Sequence, residues 1–180
     1  MSGSITAVLS TGAVVWNFVG EHALQVVSAG KQVVPIVSGN TGSGKTQIVR
    51  GDAGNLNDGL IICVLKTIIS MGEATLCLVR VHYDTIQDLF TKADNLKLKM
   101  EESDSVVVNG ATIMRVDSVD EGIQHMRKCL SNWKDIFTST PSAEENSFLV
   151  AFLRCSGGGF ITVLESCGAE GCGNAPASRK

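Results

Sequence analysis

The sequence lacks the paired cysteines that are typical of redox and zinc-binding sites. Its six cysteines form no C-x-x-C pair, and its three histidines do not stand at metal-ligand spacings beside them. We therefore predict reduced, cytosolic thiols that are mostly buried. One alternative is a redox pair of Cys167 and Cys172 in the glycine-rich tail, but no companion motif supports it.

The chain also lacks a surplus of positive charge. It carries 15 Lys and Arg against 18 Asp and Glu, which gives a net charge of −3 and a pI near 5.6. Nucleic acids and anionic membrane surfaces are bound by clustered Lys and Arg that displace counterions. We therefore expect no nucleic-acid partner and no membrane-surface partner.

No long hydrophobic run is present. The stretch from Ile5 to Val19 is apolar, but no Lys or Arg precedes Lys31 and the run is shorter than the roughly 18 residues that a membrane span needs. We expect neither a signal peptide nor a transmembrane segment. The length of 180 residues and the apolar fraction of 44% indicate one globular domain with a sizeable core.

One motif is complete. Residues 39–46 read G-N-T-G-S-G-K-T and fit G-x-x-x-x-G-K-[ST] at every fixed position, after the apolar run Val33–Val37 and before a stretch that can begin a helix. Such a loop directs successive backbone N–H groups at one anion, while its lysine reaches the β/γ phosphates and its threonine holds Mg²⁺. We predict nucleoside triphosphate binding by Gly39, Asn40, Thr41, Gly42, Ser43, Gly44, Lys45 and Thr46.

A phosphate-binding loop needs a carboxylate from a neighbouring strand to hold Mg²⁺ and its water. Two predicted strands end near one: Leu76–Tyr83 at Asp84, and Phe160–Leu164 at Glu165. We favour Glu165, acting through water with Thr46 as the other metal-site residue. A glycine follows Glu165 three residues later, at Gly168, and its N–H could sense a γ-phosphate.

The rest of the chain alternates helical and strand patterns. The patterns predict helices over 13–28, 60–71 and 118–130, the last opened by a Ser118/Glu121 capping box, and strands over 75–81, 148–153 and 160–164. Leu96–Met100 and Val106–Val108 are expected to pair across an acidic turn.

Several segments in the same order resemble the kinesin motor domain family, from about Ala13 to Gly171. The loop reads N-T-G-S-G-K-T where the family has Q-T-G-S-G-K-T, and Val81–Phe90 is similar to the family's I-Y-N-E-x-I-x-D-L-L. Further matches are Gly59–Ile62 to G-I-I-P, Val116–Glu121 to V-x-S-x-E-E, and Leu164–Glu170 to the switch II motif V-D-L-A-G-S-E.

The resemblance implies an α/β, three-layer P-loop NTPase fold, with a central mixed β-sheet and helices on both faces. It implies one domain over residues 1–171, with residues 172–180 as a loop or disordered tail. It further implies ATP and Mg²⁺ as cofactors, microtubules or tubulin as partner, a cytoskeletal location, and an ATPase of the microtubule-motor type. Carried over to this sequence, the catalytic residues would be Glu170, Gly168 and Ser147.

The switches depart from the family pattern. Switch I is N-x-x-S-S-R-S-H in the family, and in residues 141–148 only Ser147 matches. Glu144 and Glu145 replace hydroxyls, and Asn146 replaces the arginine that would pair with Glu170, so that ion pair cannot form. Switch II carries Glu165 in place of aspartate. The family's N-terminal R-x-R-P strand is not visible, and the chain stops before the helices that grip the microtubule.

Two kinds of function compete on this sequence. One is a divergent, shortened motor domain that binds Mg-ATP with impaired hydrolysis and motility. The other is a non-motor interaction module that uses bound nucleotide to hold a shape for a protein partner. An unrelated P-loop NTPase or kinase is a third option, but neither an arginine-rich lid nor an N-K-x-D guanine motif is present. The preference for ATP over GTP rests on the resemblance alone.

Overall fold

The computed structural model describes residues 11–52, 54–100, 106–139, 146–155 and 159–168, with side chains described in these ranges except at 137–139. The helices are α1 (Gly12–Ser28), α2 (Lys45–Arg50), α3 (Leu60–Met71) and α4 (Val119–Ser139), with a 3-10 turn at Leu56–Asp58. The strands are β1 (Gln32–Val33), β2 (Ile36–Gly39), β3 (Ala74–His82), β4 (Thr85–Asp88), β5 (Lys97–Met100), β6 (Val106–Asn109), β7 (Met114–Val116), β8 (Ser147–Cys155) and β9 (Phe160–Gly168). The expected division between residues 171 and 172 lies outside the described ranges.

Seven strands form one mixed sheet. Its order is β1-β9-β8-β3-β4, with β2 also pairing with β9 and β7 also pairing with β3. The pairs of β9 with β1 and β2 are parallel, whereas β8, β3, β4 and β7 pair antiparallel to their neighbours. Strands β5 and β6 form a separate antiparallel hairpin, as the sequence predicted. The predicted α/β class with a central mixed sheet is confirmed.

The two faces of the sheet are covered differently. The buried residues of all four helices belong to one cluster that includes Leu76 and Leu78 of β3 and Ile161 of β9. On the opposite face, Cys77 and neighbouring sheet residues pack against residues in and around the hairpin, among them Leu96, Val108 and Ala111. Within the described ranges, the second face is therefore covered by the hairpin and not by helices.

The strand before the phosphate-binding loop is interrupted. The sequence predicted one strand through Val33–Val37, whereas the structure has β1 and β2 separated at Pro35. Proline has no N–H to donate to a ladder. Its carbonyl oxygen still accepts a hydrogen bond from the Leu164 N–H at 2.9 Å, so the chain stays aligned along β9 through the gap.

Other predicted boundaries also shift. Strand β9 continues to Gly168, so Glu165 lies inside the strand and not at its end, and that expectation was wrong. The last helix runs to Ser139 instead of Leu130. One half of its predicted capping box is present, because the Glu121 N–H donates to Ser118 Oγ at 3.2 Å. The Glu121 carboxylate accepts instead from the N–H of Asp117, one residue before Ser118, at 2.9 Å.

The prediction of mostly buried thiols is confirmed for the described cysteines. Cys63, Cys77, Cys129 and Cys167 are buried, and Cys155 is partly exposed. Burial raises the pKa of the Cys77 and Cys129 thiols to about 12, so both are protonated at neutral pH and are poor nucleophiles. Cys172, the second member of the alternative redox pair, lies outside the described residues.

None of the helices in the described ranges is both long enough and apolar enough to span a membrane. The same ranges contain no group of three or more His, Cys, Asp or Glu side chains placed to hold a metal ion.

The start of α1 meets the start of α3 so closely that only glycine fits there. A Cβ added to Gly12 would lie 2.0 Å from the Leu60 backbone nitrogen and 2.3 Å from the Ile48 carbonyl oxygen. We expect Gly12→Ala to lower the free energy of unfolding by about 1–3 kcal/mol, because two backbones must separate to admit the methyl group. Urea unfolding measures the loss.

Gly54→Ala is the matched control for this prediction. A Cβ at Gly54 would meet nothing within 4 Å, so the free energy of unfolding should stay within about 0.5 kcal/mol of the unmodified chain. Equal stability of the two variants would contradict the close approach at Gly12.

Candidate functional site

The phosphate-binding loop connects β2 to α2 at the end of the parallel part of the sheet. Gly42 and Gly44 have φ angles of 79° and 87°, a left-handed conformation that side chains disfavour, and Gly44 is the N-cap of α2. A turn closes the loop through the Ser43 N–H, which donates to the Asn40 carbonyl oxygen at 3.1 Å. The backbone conformation of the loop therefore favours glycine at positions 42 and 44.

Lys45 lies across the mouth of this loop. Its Nζ donates to the carbonyl oxygens of Gly39 at 2.8 Å and Asn40 at 2.7 Å, and the residue is 9% exposed. An ammonium group has three donors, and these carbonyls use two of them. The charge is thus held at the loop, where it can meet phosphate oxygens.

Thr46 and Glu165 are brought together although they are 119 positions apart. The Thr46 hydroxyl donates to Glu165 Oε1 at 2.6 Å, and Glu165 is 5% exposed. A threonine hydroxyl that donates its proton to a carboxylate still presents lone pairs, which are the hard oxygen ligands that Mg²⁺ prefers. A hydroxyl with a carboxylate behind it is a donor set that fits Mg²⁺. The alternative carboxylate, Asp84, lies in the turn after β3, two strands away from β9.

Arg50 is a site residue that the sequence interpretation missed. Its Nε donates to Glu165 Oε2 at 2.6 Å, and the two side chains are 11% and 6% exposed. The guanidinium also lies over the Trp133 ring, 4.2 Å from the ring centroid. The sequence spacing could have indicated Arg50 as a site residue, because it is four residues after Thr46 and so lies on the same face of α2. No local signal points to Trp133, which comes from α4.

An open cavity of about 420 Å³ adjoins the loop, a size within the range of small-ligand sites. Its lining residues are Gly42, Gly44, Lys45, Thr46, Gln47, Gly51 and Asp52. A second cleft of about 400 Å³ continues from Thr46 and Arg50 toward α4, where it is lined by Arg127 and Lys134 among others. The first cleft has Lys45 and Asp52 in its lining. The second combines three cationic residues with apolar ones, Leu56, Leu130 and Trp133.

The predicted switch residues have different placements. Gly168 is paired with Gly39 in parallel register, so it lies directly beside the phosphate-binding loop. Ser147 is buried at the start of β8, where its hydroxyl accepts a hydrogen bond from Arg80 Nε at 3.0 Å. Glu170 lies outside the described residues, as do Glu144 and Glu145. The catalytic roles of Gly168, Ser147 and Glu170 therefore stay predictions.

Comparison with known proteins agrees with this architecture. The chain is similar in fold to a fast kinesin whose structure was analysed for its ATPase mechanism and its interactions with microtubules: TM-score 0.71, 20% identity, and coverage of 94% of this chain and 54% of that one. It thus spans about half the length of that kinesin chain. No curated protein matches the sequence significantly. The family model of the kinesin motor domain matches residues 5–153. The chain therefore belongs to the kinesin motor domain family.

Proposed function

We propose that this chain binds Mg-ATP as a divergent kinesin-like motor domain. The observation that carries the proposal is the contact of Thr46 with Glu165 at 2.6 Å, beside a loop that holds Lys45 at its mouth. These groups supply the cation, the metal-site hydroxyl and the strand carboxylate that a P-loop NTPase uses. The preference for ATP over other triphosphates comes from the family.

The proposed roles follow from these positions. Residues 39–44 would hold phosphate oxygens through their backbone N–H groups, and Lys45 would neutralise the β/γ phosphates. Thr46 would bind Mg²⁺ directly and Glu165 through a water molecule. Bound Mg²⁺ would supply charge neutralisation between the β and γ phosphates. Gly168 and Glu170 would act on the γ-phosphate side, with Ser147 as the remaining switch I hydroxyl.

Calorimetric titration tests the binding step. Adding ATP with Mg²⁺ to the unmodified chain should give saturable binding at one nucleotide per chain, and GTP should bind more weakly. A steady-state ATPase assay with and without microtubules belongs beside it. Absence of any nucleotide binding would refute the proposed function as a whole.

A non-motor nucleotide-binding module is the second candidate. The observation in its favour is the altered switch I, in which Asn146 replaces the arginine of the family motif. In that case bound nucleotide would hold the loop and β9 in one arrangement for a protein partner, without turnover. Nucleotide binding without any pelleting on microtubules would support this candidate over the motor.

We further propose microtubules as the partner, and a cytoskeletal location with it, but with weak association. The hairpin that the family uses for part of this contact carries Lys97 and Lys99 on β5, where every residue is exposed. Glu101, Glu102 and Asp104 follow them in sequence, and Lys92 is already paired with Asp135 at 2.7 Å. The charges nearly cancel, so little attraction is left for an acidic lattice.

Co-sedimentation in low salt measures this association. We expect weak pelleting with microtubules that is lost as the salt concentration rises, because exposed charge pairs are screened. Replacing Lys97 and Lys99 by glutamate should abolish the pelleting, whereas Lys31→Glu on the exposed loop after α1 is a charge-change control that should leave it largely intact. Tight binding that ATP releases would contradict this prediction.

A further inference from the structure

Glu165 connects strand β9 to two points of α2, one helical turn apart. Oε1 accepts from Thr46 and Oε2 accepts from Arg50, each at 2.6 Å. Both carboxylate oxygens are therefore engaged by groups that lie on the same face of a six-residue helix. A shorter aspartate side chain would have one methylene less with which to reach both.

Arg50 is itself held in place. Its guanidinium is hydrogen-bonded to the carboxylate and lies over the Trp133 ring, and the Arg50 side chain is only 11% exposed. A planar group that makes both contacts has few alternative rotamers. Glu165 is buried to a similar degree, so without a cationic partner its charge would be costly to keep in this position.

We propose that Arg50 is a positioning residue of the Mg²⁺ site, an inference that rests on the proposed function. By holding Oε2, Arg50 prevents the long Glu165 side chain from rotating toward the cation. Oε1 then stays aimed at the Thr46 hydroxyl, whose lone pairs remain directed to the metal position. The glutamate at the aspartate position of switch II and the arginine in α2 thus work as a pair.

The test measures how much Mg²⁺ strengthens nucleotide binding. For each variant, the Kd of ATP is determined with saturating Mg²⁺ and again with excess EDTA, and the ratio of the two values is the metal-dependent gain. We expect Arg50→Met to reduce this ratio by about tenfold or more, as the loss of partners behind metal ligands does elsewhere. An unchanged ratio would overturn the inference.

Arg127→Met and Lys134→Met are matched controls. Each removes one positive charge from the cleft beside the site but does not remove a contact with Glu165. General electrostatic attraction for ATP should fall in all three variants, with and without Mg²⁺, whereas the ratio should fall only in Arg50→Met. An equal fall of the ratio in the controls would overturn the positioning role.

A double variant tests whether Arg50 acts through Glu165. Once Glu165→Gln has removed the carboxylate charge, adding Arg50→Met should change the ratio little, because no carboxylate is left to position. Additive effects of the two substitutions would contradict the inference. If Arg50→Met fails to fold, Arg50→Lys replaces it in the test, since lysine keeps the charge but lacks the planar group. The metal-dependent ratio of Arg50→Lys should also fall, and an unchanged ratio would overturn the proposal.

The outcomes separate this inference from the proposed function. If the unmodified chain binds no nucleotide, the proposed function fails and the role of Arg50 fails with it. If the unmodified chain binds ATP with a clear gain from Mg²⁺ and Arg50→Met keeps that gain, only the positioning role fails.

Discussion

Replacing Lys45 by alanine is expected to abolish most ATP binding. Lys45 supplies the point charge that the motif aims at the β/γ phosphates, and the structure holds its Nζ within 2.8 Å of the loop carbonyls. The two carbonyls leave Nζ one donor for phosphate, and a charge-assisted hydrogen bond of about 1.5–3 kcal/mol corresponds to a loss of about 10- to 100-fold in affinity. The titration that establishes binding to the unmodified chain measures this change.

Lys31→Ala provides the control for the Lys45 result. Lys31 is an exposed lysine in the loop between α1 and β1, so its removal changes the net charge equally without touching the phosphate-binding loop. Its affinity for ATP should stay close to that of the unmodified chain. A thermal melt of Lys45→Ala shows whether the loop has kept its fold, and unchanged affinity in a folded Lys45→Ala would refute the assignment of the loop.

Hydrolysis by the unmodified chain is expected to be slow or absent. Phosphoryl transfer depends on positioned charge and water, and switch I offers two carboxylates and an amide where the family has hydroxyls and an arginine. Carboxylates near a triphosphate repel it. Combining Glu144→Ser, Glu145→Ser and Asn146→Arg should raise the steady-state turnover by about 100-fold or more, the order that one positioned donor contributes to a transition state.

The same triple substitution in a Glu170→Gln background identifies the partner of the new arginine. The gain in turnover should be lost there, because an amide cannot form the ion pair with position 146. Robust ATPase activity of the unmodified chain would show that switch I has been misinterpreted. Turnover that rises equally in both backgrounds would exclude Glu170 as the partner.

Local patterns allowed much of the fold to be predicted. Helix α3 was predicted with both boundaries correct, since it is an apolar run between Gly59 and Gly72. The β5–β6 hairpin followed from alternation around an acidic turn. Strands β4 and β7 were missed because they are short edge segments of three or four residues, held in place by pairing with β3 and not by a pattern of their own.

The functional residues likewise include some that local patterns predict and some that only the tertiary structure brings together. The phosphate-binding loop and the family could be recognised from the sequence, because glycine positions, one lysine and one hydroxyl at constant spacing are a local requirement of the backbone around a phosphate. The junction of Arg50, Glu165 and Trp133 could not, because α2, β9 and α4 meet only after the sheet has formed. The pairing of each carboxylate oxygen of Glu165 with its donor depends on how helices pack and bury residues that are more than 100 positions apart in the chain. Only the tertiary structure decides this pairing.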